Sequence, residues 1–161
     1  TGTHETTVLC LEILEKYVKQ GMTVIDVGCG SGILSIASGK LGASQVLAID
    51  TDENAVRITQ ENAERNVLDT VIQAIKNDKL KDIDFKADII VANIIADVII
   101  DLSKEAALCL KDGGIFIASG IIKDRKLSVI EALERNGFDL VEQFEKGEWV
   151  ALVSTQTPIG K

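Results

Sequence analysis

V-I-D-V-G-C-G-S-G, residues Val24 to Gly32, sets the architecture of this chain. Val24, Ile25 and Val27 have the β-branched character of a buried strand, with Asp26 set just before a turn. Gly28, Gly30 and Gly32 then lay down backbone without Cβ atoms, so a ligand can come close and the chain can take positive φ. A helix starting near Ile33 follows, and its first free N–H groups point back at the loop. A strand, a glycine turn and a helix in that order place a nucleotide-like ligand at the carboxyl edge of a parallel sheet.

Outward from this unit, strands and helices alternate at βαβ spacing. Before it, an opening helix is expected over Glu5–Lys19, with Cys10, Leu14, Tyr17 and Val18 on one face and Gly21 as a stop. After it, the first strand, Thr23–Val27, leads to a helix over Ile33–Leu41 and a second strand over Gln45–Asp50. Asp52 is a candidate N-cap for a helix over Glu53–Asn66, and a short third strand is expected over Val71–Ile75. The fourth strand, Ala87–Asn93, is an almost unbroken apolar run and reads as buried on both faces. A helix over Ala96–Lys111, broken by Gly113–Gly114, precedes a fifth strand at Ile115–Ser119. A helix over Asp124–Asn136 leads to two closing strands, Phe138–Phe144 and Glu148–Val153, joined closely enough for an antiparallel hairpin. The fold class implied is α/β: an open, mostly parallel sheet covered by helices, with one antiparallel strand near its far edge.

Composition narrows the function. A chain of 161 residues suits one domain, and 46% apolar content with a single Pro argues against disorder. A formal net charge of −8 disfavours direct nucleic-acid binding, which depends on neutralising phosphates with Lys and Arg. Cys10, Cys29 and Cys109 are widely spaced and His4 is the single histidine, so no metal site is expected. Reduced thiols and the lack of an 18-residue apolar run point to a cytoplasmic protein with no membrane partner.

The glycine spacing separates two ligand classes. A dinucleotide loop reads G-x-G-x-x-G, whereas here Ile33 stands where its third glycine falls. The loop also has Asp26 two residues before its first glycine, which suits a phosphate-free ligand bearing an ammonium and a carboxylate, such as S-adenosyl-L-methionine. Asp50 ends the second strand about twenty residues beyond the loop, where an acid accepts hydrogen bonds from ribose hydroxyls; its plain alternative is a helix cap. Asn93 ends the fourth strand at the ligand-bearing edge and offers one acceptor and two donors; its plain alternative is a turn-starting Asn.

With these residues in place, TGTHETT (Thr1–Thr7), VIDVGCGSGILSIA (Val24–Ala37), AIDTDENAV (Ala48–Val56) and ADIIVANI (Ala87–Ile94) resemble the ribosomal protein L11 methyltransferase family. ENAERN, SGII and EWVAL extend the likeness over essentially the whole chain. The family is PrmA-type, a branch of the class I S-adenosylmethionine-dependent methyltransferases. The resemblance implies a three-layer Rossmann-like methyltransferase fold with a seven-stranded sheet. It implies S-adenosyl-L-methionine as cofactor and a large-subunit ribosomal protein as partner, methylated on its α-amine and on lysines. By position, Thr7 and Gly28 would meet the methionine end of the cofactor, with Gly30 in the same loop. Asp50 would hold the ribose, and Asn93 would lie beside the transferring methyl as the catalytic residue. The methyltransferase domain is expected over residues 1–155, with a tail at 156–161 and the family's N-terminal recognition domain absent. Ile75–Asp84 departs from the family pattern, so the adenine contact there is left unassigned between such residues as Asn77 and Asp78. Enzymes acting on a glutamine amide or a base usually carry N-P-P-Y where this chain has Asn93-Ile94-Ile95-Ala96, so a planar substrate is disfavoured. A small-molecule methyltransferase and a nicotinamide-dependent oxidoreductase are rival functions for the same fold.

Overall fold

The computed structural model describes residues 2–156. Its elements run α1 Gly2–Tyr17, β1 Thr23–Val27, α2 Ile33–Lys40, β2 Gln45–Asp50, α3 Glu53–Arg65, β3 Ile72–Lys76 and β4 Ala87–Asn93. They continue with α4 Ala96–Leu108, β5 Leu110–Ile122, a 3₁₀ turn at Lys123–Arg125, α5 Lys126–Arg135, β6 Phe138–Lys146 and β7 Trp149–Gln156. Seven strands form one sheet in the order β3-β2-β1-β4-β5-β7-β6. β7 pairs antiparallel with both of its neighbours, and the remaining pairs are parallel.

Two apolar cores follow from the period-2 alternation of the strands. Val24, Val46, Ile89, Val91 and Ile117 face α1, α2 and α3. Ile25, Leu47, Ile90 and Phe116 face α4 and α5. The central strand β4 is buried on both faces because helices cover both, as its unbroken apolar run requires. Each of its fully buried Ile side chains contributes about 1.5–3 kcal/mol of transfer free energy.

Several boundaries differ from the sequence reading. α1 spans Gly2–Tyr17 rather than Glu5–Lys19, so Thr6 and Thr7 sit in its second turn. It stops early because the chain reverses at Gly21, whose N–H bonds Gly42 O at 2.8 Å. α4 ends at Leu108, before Lys111, because Leu110 already pairs with Ala87. Gly113 and Gly114 therefore lie inside β5, where the register shifts between Ala87 and Ile89, rather than ending a helix. The expected final helix is split into the 3₁₀ turn and α5. The start of β3 is one residue later than expected, and β6 and β7 run on to Lys146 and Gln156. The expected tail beyond Gln156 lies outside the described residues.

Caps explain the ends of α3. Asp52 is its N-cap and accepts from Asn54 N at 2.9 Å. At its other end Val67 takes φ 56°, a conformation usually given to glycine, and its N–H reaches Glu64 O at 3.0 Å.

Candidate functional site

The glycine loop is fastened from below by β2. Gly28 N and Cys29 N both donate to Ile49 O, at 2.7 and 2.9 Å. Gly30 N donates to Asp50 Oδ2 at 3.0 Å, and Gly32 N to Cys29 O at 2.8 Å. The second oxygen of Asp50, Oδ1, accepts from Asp52 N at 3.0 Å. The Asp50 carboxylate thus ties the loop to the start of α3 while it stands partly exposed at the lip of a cleft. Two glycines are required by close approach. A Cβ on Gly28 (φ 74°) would lie 2.8 Å from Ile94 Cγ2, and one on Gly32 (φ 87°) 2.8 Å from Thr59 Cγ2.

That cleft, about 360 Å³, opens at the carboxyl ends of β1, β2 and β4. Gly28 and Asp50 line it, together with Asn77, Lys79, Ile94 and Val98. Gly30 reaches it through its bond to Asp50. Asn93 stands behind Ile94, outside the lining. Its Oδ1 is buried without a hydrogen-bond partner and lies 3.1 Å from the position of a Cβ on Gly120. Thr7 is half-buried on α1, one turn before the buried Cys10, and does not line the cleft. His4 is exposed.

Asp26 is buried below the loop and accepts from Ser35 Oγ at 2.7 Å. Burial pushes its carboxyl up to about 6, against the pull of the Ser35 hydrogen bonds, and the nearby Asp50 charge adds to the rise. Near neutral pH the floor of the loop is therefore acidic. Cys29 is no nucleophile: burial raises its thiol to about 12, and the sulfur turns inward to Thr59 Oγ1 at 3.3 Å.

Some lining residues escaped the sequence reading. Ile94, two residues before α4, and Val98, in its first turn, are four positions apart, an apolar spacing that was there to be seen. Asn77 and Lys79 left little trace. Asn77 N donates to Asp50 O at 3.0 Å, and its side chain holds Lys79 O and Lys81 O at 3.1 and 3.0 Å. Lys79 takes φ 50°, a conformation that no Gly or Asn announced. Among the described residues no group of three His, Cys, Asp or Glu is arranged to hold a metal ion, and no helix is long and apolar enough to cross a membrane.

A sheet in this strand order, with a fastened glycine loop and an acid ending the second strand, defines the Rossmann-like fold of the class I methyltransferases. The family model of the ribosomal protein L11 methyltransferases (PrmA) matches residues 1–157, and the chain belongs to that family. Ribosomal protein L11 methyltransferase of Acetivibrio thermocellus is 54% identical over 155 residues, 95% of this chain and 49% of the relative. That of Caldicellulosiruptor bescii is 50% identical over 157 residues, 98% of this chain and 51% of the relative. The crystal structure of ribosomal protein L11 methylase from Lactobacillus delbrueckii subsp. bulgaricus superposes with a TM-score of 0.92 at 37% identity. The match covers 96% of this chain and 80% of that one. The chain spans about half the length of the curated relatives it matches.

Proposed function

We propose that this chain binds S-adenosyl-L-methionine across the glycine loop and passes its methyl group to amino groups of large-subunit ribosomal protein L11, both the α-amine and lysines. The family assignment supports the substrate. One observation carries the cofactor: the N–H groups of Gly28, Cys29 and Gly30 are already engaged by Ile49 O and Asp50. A pyrophosphate needs such N–H groups free and no carboxylate beside them. An ammonium and a sulfonium gain from the same acids, Asp50 and Asp26. This weighs against a nicotinamide-dependent oxidoreductase. Ala96, a small buried residue where N-P-P-Y enzymes place the aromatic, offers no stacking ring and weighs against a planar amide substrate.

In this reading Thr7 and Gly28 meet the methionine end and Gly30 shapes the turn. Asp50 accepts the ribose hydroxyls, and Asn93 lies beside the transferring methyl. The bound cofactor supplies an electrophilic methyl group, and the chain has to place a neutral amine behind it. An α-amine, with a pKa near 7.7–8.0, is partly neutral at physiological pH, whereas a lysine needs desolvation. The Asn93 oxygen accepts an amine N–H and so aims the nitrogen lone pair. We take residues 1–155 as the methyltransferase domain, working in the cytoplasm without nucleic acid or metal. Recognition of the target is assigned to the part of the relatives that this chain does not span.

Calorimetric titration with S-adenosyl-L-methionine and with NADH tests the cofactor. Transfer of labelled methyl to purified L11, with and without the remaining half of a relative, tests the substrate. Tight NADH binding without S-adenosyl-L-methionine binding would overturn the reading.

A further inference from the structure

We propose that Thr59 and Asn62 of α3 are positioning residues for the cofactor: they hold the Gly30 and Ser31 carbonyls toward α3 and leave Gly28 O to meet the methionine end. This rests on the reading of the glycine loop given above. Thr59 Oγ1 donates to Gly30 O at 3.0 Å, and Asn62 Nδ2 donates to Ser31 O at 2.8 Å. The two donors are three positions apart, so they share one face of α3, and that face grips the loop.

The carbonyls of the loop can be accounted for one by one. Cys29 O accepts from Gly32 N and Gly32 O from Ile36 N, each at 2.8 Å. With Gly30 O and Ser31 O held by α3, Gly28 O is the loop carbonyl left without a donor among the described residues. Gly28 lines the cleft, whereas Thr59 and Asn62 stand outside its lining. Thr59 is fully buried and fills the space a Cβ on Gly32 would need, its Oγ1 lying 3.0 Å from that position. The Cys29 sulfur is 3.3 Å from the same hydroxyl. That hydroxyl has one hydrogen, which goes to Gly30 O, so the thiol donates, and a chain of bonds runs from Cys29 through Thr59 to Gly30.

Holding matters because every second residue of the loop is glycine. Gly28, Gly30 and Gly32 all take positive φ, and glycine loses more freedom on ordering than any other residue. A loop already ordered spares the ligand that cost, while a loose one takes it out of the binding free energy. The cost falls on ligands that touch the loop and spares those that reach only the base and sugar positions.

Calorimetric titration with S-adenosyl-L-homocysteine and with 5′-methylthioadenosine separates the two. Both ligands keep the base and the sugar, and the second lacks the amino-acid end. Thr59→Val keeps the shape and removes the hydroxyl. It is expected to raise the Kd for S-adenosyl-L-homocysteine about tenfold and that for 5′-methylthioadenosine by less than about threefold. Thr59→Ser, which keeps the hydroxyl, is expected to hold both within about threefold of the unmodified chain. An equal loss for both ligands, or a loss for neither, overturns the proposal. Asn62→Leu, at a half-buried helix position, is expected to show the same selectivity and stands in if Thr59→Val does not fold. Backbone ¹⁵N relaxation of the ligand-free chain reads the holding directly. The order parameters of Gly30 and Ser31 are expected at about 0.85, dropping toward about 0.6 in either variant. Values that stay at about 0.85 in the variants overturn the proposal. Should the unmodified chain bind neither ligand nor S-adenosyl-L-methionine, the proposed function falls, while the order parameters still decide Thr59 and Asn62.

Discussion

Asp50→Ala separates the task that this carboxylate performs from the one proposed for it. The first is architectural: it accepts from Gly30 N and Asp52 N, each at 3.0 Å. Both donors belong to exposed residues, so water replaces the lost acceptor, and each bond is worth about 0.5–1.5 kcal/mol net. The fold should lose about 1–2 kcal/mol, which lowers Tm by roughly 3–6 °C at this size. The second task, as proposed above, is the ribose. Two hydroxyls donating to a carboxylate are worth about 1.5–3 kcal/mol each, and the lower end applies at an open, partly exposed lip. A loss of about 3 kcal/mol weakens S-adenosyl-L-methionine binding by about a hundredfold. Calorimetry should be run on that cofactor and on an analogue lacking both ribose hydroxyls. The analogue should lose less than about threefold on substitution, since it never used the carboxylate directly. If the analogue loses as much as the cofactor, Asp50 acts only by holding the loop, and the ribose assignment is wrong.

Val67→Gly relieves an exposed β-branched residue at φ 56°; the strain of about 1–2 kcal/mol outweighs glycine's added flexibility, so stability in urea unfolding should rise by about 1 kcal/mol at constant m. Asp26 has a folded pKa near 6 against an ordinary 3.8, so the fold favours its neutral form. Stability should therefore fall as pH climbs from about 4 to 6 and level off above, by on the order of 3 kcal/mol, and Asp26→Asn should flatten that slope in urea titrations. Gly120→Ala meets Ile94 O at 2.7 Å with φ 82°; a loss of about 2–4 kcal/mol is expected in denaturant unfolding, with weakened cofactor binding because the Asn93–Ile94 backbone must shift. A stability unchanged to within about 0.5 kcal/mol would show that this corner yields freely.

Legibility in the sequence followed local chemistry. β1, β2 and β4 kept their expected bounds because β-branched runs flanked by glycine or acid admit no helix. The loop's fastening to Asp50 was readable as an acid at the right distance, though not as a hydrogen bond to Gly30. The start of β5 was hidden, since Lys111-Asp112-Gly113-Gly114 spells a turn, and only pairing with β4 recruits it into the sheet. The rim formed by Asn77 and Lys79 was hidden for another reason: its shape depends on one Asn side chain gripping two carbonyls, a tertiary fact with no periodicity. Asn93 ends β4 where the apolar run stops, yet the burial of its oxygen against Gly120 depends on the neighbouring strand.

β7 occupies an inner lane of the sheet although it is its last strand in chain order, between β5 and β6. On a translating ribosome, β5 and β6 therefore emerge before the strand that must separate them. Until Gln156 clears the exit tunnel, β5 presents a raw edge open to foreign strands. β6, which pairs with β7 alone, has to wait unzipped for its closing piece, so a message cut short by a dozen codons before that point yields a product with one sticky edge and one loose strand.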